Sequence, residues 1–496
     1  MSETITIRKG LDIPISGAAE LCLTDARSIS TYAVKPTDFV GLTPRLVVEG
    51  GDTVNAGDAL FVDKHDERIR FTSPVSGHVK AIVRGEKRKL LEVVVEADYK
   101  SAGSTVADCK SATTQELPQS ADEIKAAMLQ CGLWAQLRQR PFGTVANPDD
   151  KPKAIFVSGF SSAPLAPDYD FVMQGKETLL AKGFEALAQL TDGTVHVCFR
   201  PGQRLASLDC FVPRNDAKRQ LEVPCPTVSR PASTEQLNNS KLTIHYINGP
   251  HPAGNIGTQI AHIDPINKGE VVWTMNLQDV SVLGELVTTG IYHPEKVIAV
   301  AGPSIKNPHY YRMKAGACLA EITKSLLFNN DYSKTAVYDA AKANRVISGD
   351  VLSGTQIAAD GFLGAYDDLV SILPEGDYYD FMGWLMPGVR KFSYSRTFLS
   401  GFMPKFSQWK FDTNTHGDER PLVFTGNFER VFPFDIYPTQ LIKACIVGDI
   451  ELMENLGIYE VEPEDFALCE FIDTSKTDIQ TIVREALEKL RKEGLS

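Results

Sequence analysis

VVEGGDTVNAGDALFVDKHDERIRFTSPVSGHV, residues 47–79, decides how the first hundred residues are read. Gly50-Gly51-Asp52 and Gly57-Asp58 carry turn chemistry, and around them run short alternating segments: Thr53-Val54, Ala59 to Val62, Ile69 to Phe71 and His78 to Val83. Apolar and polar side chains alternating with period two mark half-buried strands, and glycine supplies the backbone freedom that tight turns need. A compact all-β module is predicted over residues 1–98.

This pattern resembles the biotinyl/lipoyl carrier domains, which place a turn EGD-x-V-x-x-G-x-x-L, a hairpin with a central lysine, and then SP-x-x-G-x-V. The resemblance implies a modified lysine eight residues before Pro74, but that place holds Asp66, and Lys64 lies two residues earlier in the run DKHDER. The module reads as a carrier-type β-sandwich without its cargo lysine, which suggests a scaffold.

At 496 residues the chain is long enough for two to four domains, each with its own core. A net charge of -12 and a pI near 5.4 argue against a nucleic-acid binder. One local stretch runs the other way: Lys80, Arg84, Lys87, Arg88 and Lys89 stand against Glu86 alone. It reads as a solvated hairpin edge or as a membrane-facing surface. No positive-then-apolar leader opens the sequence, and no run approaches the ~18 apolar residues of a membrane span. The expectation is a soluble or peripheral cytoplasmic protein. Nine cysteines, at 22, 109, 131, 198, 210, 225, 318, 445 and 469, never form a C-x-x-C pair. They give neither a zinc ribbon nor a ferredoxin-type motif nor a disulfide framework, and read as free thiols.

The polar stretch 99–119 reads as a linker or surface insertion. Ser120 to Glu123 opens a helix whose apolar face is Ile124, Ala127, Met128 and Cys131. Ala154 to Ser158, Thr194 to Phe199 and Lys241 to Ile247 read as buried strands and Glu177 to Leu190 as a helix, so residues 120–290 are predicted to form a Rossmann-like α/β domain. Residues 291–375 suggest a strand–helix–strand β-grasp (SLBB-like) module, with its helix around Cys318 to Leu327. The region 376–496 reads as mainly helical. In it Thr477 and Gln480 suggest a capping box, and Ile479, Ile482, Val483, Ala486, Leu487 and Leu490 recur at helical spacing up to Gly494.

Two constellations are candidates for chemistry. In HYINGPHPAGNIGT, Gly249, His251, Gly254, Gly257 and Thr258 are compatible with an anion loop before a helix start, although neither standard phosphate-loop pattern is matched and Pro250 and Pro252 remove two donors. The alternative is a rigid structural turn. Metal binding through His245, His251 and His262 lacks acidic or cysteine partners at ligand spacing, and no Ser-His-Asp or Cys-His arrangement can be specified. In CGLWAQLRQRPFGT, Trp134, Arg138, Arg140 and Phe142 combine aromatic and cationic groups; they read either as a stacking site for a flat ring such as a quinone or as the anchor of a domain interface.

Many short stretches, in order, give the chain a wider resemblance. They are Lys9 to Ile15, Phe71 to Gly77, Arg84 to Arg88, Cys131 to Trp134 with Arg140 to Phe142, Gly249 to Gly254, Ala301 to Pro303, Val346 to Gly349, Trp384 to Gly388, Arg396 to Leu399, Gly426 to Val431 and Ala467 to Cys469. Together they resemble the family of A-type subunits of the Na+-translocating NADH:quinone reductases over nearly the whole length. The architecture is also similar to the flavin-bearing 51-kDa-type subunit of respiratory complex I and to the C-type subunit of the Rnf complex. Those relatives carry GLRGRGGAGFPTG, whose glycines admit a flavin phosphate, and a C-x-x-C-x-x-C cluster site. Here the first stretch reads GLWAQLRQRPFGT, where Trp134, Gln136, Leu137 and Gln139 fill the glycine space, and Cys445 and Cys469 stand isolated.

The resemblance implies a peripheral, scaffold-like subunit on the cytoplasmic side of the bacterial inner membrane, within a complex that oxidises NADH, reduces ubiquinone and exports Na+. It implies no cofactor on this chain, with NADH, flavins, the iron–sulfur centre and Na+ handled by other subunits, some of them membrane-embedded, and with ubiquinone as a candidate neighbour. The stretches Lys80 to Lys89 and Trp134 to Phe142 are the candidate docking faces. Trp134→Ala or Phe142→Ala is expected to alter the quinone step without loss of assembly. Rival readings are a cytosolic small-anion-binding protein using the 249–258 loop and an Rnf-type electron-transfer subunit.

Overall fold

The computed structural model describes residues 4–26, 29–98, 109–110, 117–205, 241–320, 322–323, 344–358, 360–379, 382–383, 385–389, 391–402 and 408–494. Most of the 99–119 stretch and half of the helix expected at 318–327 lie outside them.

The β module is a sandwich. One sheet runs Thr31–Val34, Leu90–Ala97, Gly77–Arg84, Thr53–Val54, and the other runs Pro44–Leu46, Ala59–Asp63, Arg70–Thr72. Val54, Leu60, Phe61, Phe71, Val79 and Val95 are buried in its core, where the Phe61 and Phe71 rings stack 4.7 Å apart. The two predicted turns close on their own aspartates: Asp52 accepts from the Glu49 N–H and Asp58 from the Asn55 N–H, both at 2.8 Å. At the hairpin where a carrier lysine would stand, Asp66 instead grips the guanidinium of Arg68, which reaches on to Asp149 at 2.6 Å. The hairpin tip is thereby tied to the next domain.

Strands from residues 4–25 leave this sandwich and enter both neighbouring sheets. Thr4–Thr6 pairs in parallel with Leu242–Asn248 at the edge of a seven-stranded sheet. Its order continues Thr194–Phe199, Ala154–Ser158, Val272–Thr274, Arg138–Arg140, Thr144–Val145, and only the last two pairings, those made by Arg138–Arg140, are antiparallel. Continuous apolar runs such as Ala154 to Val157 are what a parallel sheet covered on both faces demands. The helix Ala121–Cys131 begins at a capping box of Ser120 and Glu123 and buries the face read from the sequence.

Glu20–Asp25 is the edge of a six-stranded mixed sheet that continues His309–Lys314, Glu295–Ala301, Leu369–Pro374, Asn344–Ser348, Thr355–Ile357. The buried Gln278 amide locks this β-grasp sheet to the α/β domain: it donates to the Val297 carbonyl and accepts from the Val297 N–H, each at 2.9 Å.

In the last region the α-helices among the described residues start at Phe428, and before them lies a 3-10 turn at Leu399–Phe402. Phe432 stacks between Phe434 and Phe466 under the helices Pro438–Val447 and Ala467–Ile472. The final helix, Ile479–Gly494, buries Ile479, Val483, Ala486, Leu487 and Leu490. Its start differs from the expected capping box. Asp478 accepts from the Thr481 N–H, Thr477 gives its N–H to Asp473, and the Gln480 amide reaches the Leu352 carbonyl. An aspartate immediately before the first turn outcompetes a threonine one residue further out because its carboxylate also complements the helix dipole.

Candidate functional site

Period two along Arg138–Arg140 points two guanidiniums the same way, toward the turn Glu462-Pro463-Glu464-Asp465 of the C-terminal region. Arg138 Nη2 donates to Glu462 Oε2 at 2.9 Å, and its guanidinium lies 5.2 Å over the Tyr366 ring. Arg140, 2% exposed, donates through Nη1 to Asp465 Oδ2 at 3.1 Å, through Nη2 to Glu464, and has Nε 3.4 Å from Glu462 Oε1. Arg484, from the last helix, donates to the Phe142 carbonyl at 2.7 Å. Trp134 is 1% exposed, donates from Nε1 to the Ala146 carbonyl at 2.8 Å and meets Trp273 edge-on. Phe142 sits edge-on to Tyr459 of the C-terminal region. The four predicted residues thus line one junction inside the chain, and Trp134 and Arg140 present no outer face.

Burial acts against every charge in this cluster. For Glu464 burial is outweighed by Arg140 and Arg138, which hold its carboxyl below the usual range. Asp465 takes the penalty: burial, with Glu464 and Glu462 adding to it against Arg140, pushes it up to about 7. A carboxyl whose folded pKa exceeds its unfolded value keeps an extra proton in the folded chain at acidic pH, so its ionisation removes stability as pH rises through the folded pKa. The Asp465→Asn chain escapes that loss. Its Tm is expected to gain on the wild type from about pH 4, where the unfolded carboxyl ionises, up to about pH 7, and to gain no further above that. A Tm difference that stays constant across this window would contradict the assignment.

The 249–258 loop ends at the same cluster. A β-carbon at Gly257 would lie 2.3 Å from Asp465 Oδ1 and 2.6 Å from Arg140 Nη1, so only glycine admits this approach. The start of the helix Ile256–Ile263 is thus packed against the Asp465 side chain, whose Oδ1 has no hydrogen-bond partner. Gly249 lies against the Ile7 backbone and Gly254 gives its N–H to Ser162 Oγ, whereas Thr258 is buried in the helix with its Oγ1 lacking a hydrogen-bond partner. His251 gives its N–H to Asp12 and holds Ser162 Oγ at its Nδ1. The three histidines considered for a metal go separate ways: His245 meets His196, His251 meets Ser162, and His262 meets the Thr258 carbonyl. Among the described residues no group of three or more His, Cys, Asp or Glu is placed to hold a metal.

Beside the junction, three domains leave a cleft of about 540 Å³ including its open mouth. Its walls include Phe39 and Phe71 from the sandwich, Ala135 and Gln136 from the turn after Trp134, and Pro294 and Leu363 from the β-grasp module. The side-chain oxygen of Gln136 is buried without a hydrogen-bond partner. Lys35, also in the wall, reaches Asp38 at 3.4 Å. Burial raises the Asp38 carboxyl despite Lys35 and the Ala365 N–H that bonds to it. Chemically, the cleft offers flat apolar walls, an amide and a Lys35–Asp38 ion pair. Sequence reading missed Glu462, Glu464, Asp465 and Gln136. The acidic VEPED run was the visible signal for the first three, but nothing local paired it with arginines more than three hundred residues away.

Three family models match within residues 5–359: the NqrA N-terminal barrel-sandwich hybrid domain over residues 5–98, the NqrA second alpha/beta domain over 119–211 and 221–292, and the NQRA C-terminal domain over 297–359. The NqrA protein of the Na(+)-translocating NADH-quinone reductase of Yersinia pestis bv. Antiqua (strain Angola) is 36% identical over 492 residues, covering 99% of this chain and 100% of the relative. The proteins of the same description from Serratia proteamaculans (strain 568) and Pasteurella multocida (strain Pm70) show the same identity and coverage.

Proposed function

This chain belongs to the NqrA family, the A-type subunits of the Na+-translocating NADH-quinone reductases, and from that membership we propose that it is a non-catalytic subunit of a complex that oxidises NADH, reduces ubiquinone and exports Na+. The observation that carries this reading is the match end to end, with each module of the relatives present in order. The fold supports a scaffold. Four modules are interlocked by crossing strands, the Gln278 clamp and the buried arginine–carboxylate cluster. No described helix is long and apolar enough to cross a membrane. Family membership supports a peripheral position on the cytoplasmic face of the bacterial inner membrane. The membrane-embedded subunits are its partners, and the electron-carrying cofactors reside in other subunits.

The rival readings have weaker support. A small external anion at residues 249–258 would have to displace Asp465. Cys445 and Cys469 are buried, and burial pushes their thiols up, to about 12 for Cys445, which opposes the thiolate form that a cluster requires.

Quinone contact is assigned here to the cleft and not to Trp134, Arg138, Arg140 and Phe142 themselves, which stand behind its wall. A quinone ring would lie between the apolar walls with its carbonyl accepting from the Gln136 amide N–H. In the assembled complex, Gln136→Leu is expected to raise the KM for a short-chain ubiquinone about 5- to 10-fold, the worth of one hydrogen bond, with NADH oxidation by an artificial acceptor unchanged. An unaltered quinone KM in an intact complex removes the cleft from the quinone path.

A further inference from the structure

We propose that His196 and His245 form a site for a divalent transition-metal ion on the α/β sheet, taking Ni2+, Zn2+ or, most tightly, Cu2+. The two residues stand on neighbouring parallel strands, Thr194–Phe199 and Leu242–Asn248, in a register that sets His196 opposite Thr243 and His245 opposite Cys198. Side chains two apart on a strand share a face, so both rings emerge on the same side of the sheet. His196 Nδ1 lies 2.9 Å from His245 Nε2. Phe156, on the next strand, stacks on the His196 ring with centroids 4.6 Å apart and fixes it in place. Both histidines are half-buried and Thr243 beside them is exposed, which leaves the pair open to ions from solvent.

One hydrogen bond joins the two rings in the ion-free chain, and the same spacing suits ligation. Two nitrogens about 2.0–2.1 Å from one ion and at right angles to each other are about 2.9 Å apart, the arrangement of neighbouring ligands around tetragonal Cu2+ and Ni2+. Ligation also requires neutral imidazoles. Burial lowers both histidines below their ordinary range, His196 to about 4 with His245 adding to the effect, so both are neutral at pH 7. As the ion enters, the proton of the shared hydrogen bond passes to the far nitrogen of its own ring, which frees both facing lone pairs with no net proton release. Aiming the lone pairs at one ion takes a turn about χ2, a soft torsion in imidazoles. The acid that acts on His196, Asp264, is already held by Lys153 at 2.7 Å, so the protein supplies two ligands and water completes the shell. Cu2+ binds tightest because affinity along the first-row series peaks there.

The test titrates Ni2+ calorimetrically into the purified full chain carrying Cys22→Ser, which removes an exposed thiol that would compete for the ion. A single ion per chain is expected to bind. His245→Gln keeps a hydrogen-bonding partner for His196 but offers no imidazole, and is expected to weaken binding about tenfold or more at unchanged Tm. His196→Ala should weaken it as much. With Cu2+, electron paramagnetic resonance is expected to show two coordinated ring nitrogens in the parent chain and one in either variant. Absence of binding by both ions overturns the proposal. So does an affinity that neither substitution changes, since the ion then sits on other groups. A lower Tm for His245→Gln with Ni2+ affinity intact makes the pair a structural hydrogen bond and overturns it as well.

Discussion

Arg140→Ala is expected to destabilise the chain by about 3–5 kcal/mol, the cost of removing one partner from a buried ionic cluster. The guanidinium contacts Glu462, Glu464 and Asp465 at once, and all three sit at the seam between the α/β sheet and the C-terminal helices. Without it, Glu462 and Asp465 remain almost fully buried with Arg138 and, near Glu462, Arg484 as the remaining cations, and the uncompensated charge must take a proton or draw water into the seam. The loss should appear as early opening of the C-terminal region. Hydrogen exchange in 428–494 is expected to rise well before that in the sandwich core, and Arg140→Lys should restore only part of the stability because an ammonium cannot fork to three carboxylates. Unchanged urea midpoints for Arg140→Ala would show that the cluster does not hold the seam.

Trp134→Ala is the second large effect, again about 3–5 kcal/mol, as for other fully buried aromatic residues. The indole fills the space between Trp273 and the Ala146 carbonyl and makes part of the floor on which Ala135 and Gln136 line the cleft. This revises the expectation that Trp134→Ala changes quinone kinetics with assembly intact: at 1% exposure the residue supports the fold before it supports any ligand. Thermal unfolding of the isolated chain separates the two cases. A drop in Tm with weaker assembly supports the structural role, whereas a wild-type Tm with altered quinone kinetics would return Trp134 to the binding site.

The sandwich was legible because its turns announce themselves through Gly-Asp pairs and its strands through strict alternation, both local signals. The helix Ala121–Cys131 was legible for the same reason. The crossing of Thr4–Thr6 and Glu20–Asp25 into two other sheets was not, since pairing between residues 4 and 246 or 23 and 310 leaves no mark in either segment alone. The site residues show the same division. Arg138 and Arg140 were found because cations beside aromatics in a short run are conspicuous. Of the two roles open to them, the structure favours the anchor of a domain interface, and the sequence could not name their partners because the three carboxyls lie more than three hundred residues away. Gly257 looked like room for a phosphate until Asp465 was seen to occupy it.

The most direct test of the functional reading is to tag this chain at its native locus, solubilise the membranes gently, and assay the purified material for Na+-stimulated NADH:quinone reductase activity while identifying what accompanies it. The account predicts that hydrophobic subunits and Na+-stimulated activity come down together with the tag. A chain that elutes alone, without NADH:quinone reductase activity, would contradict it.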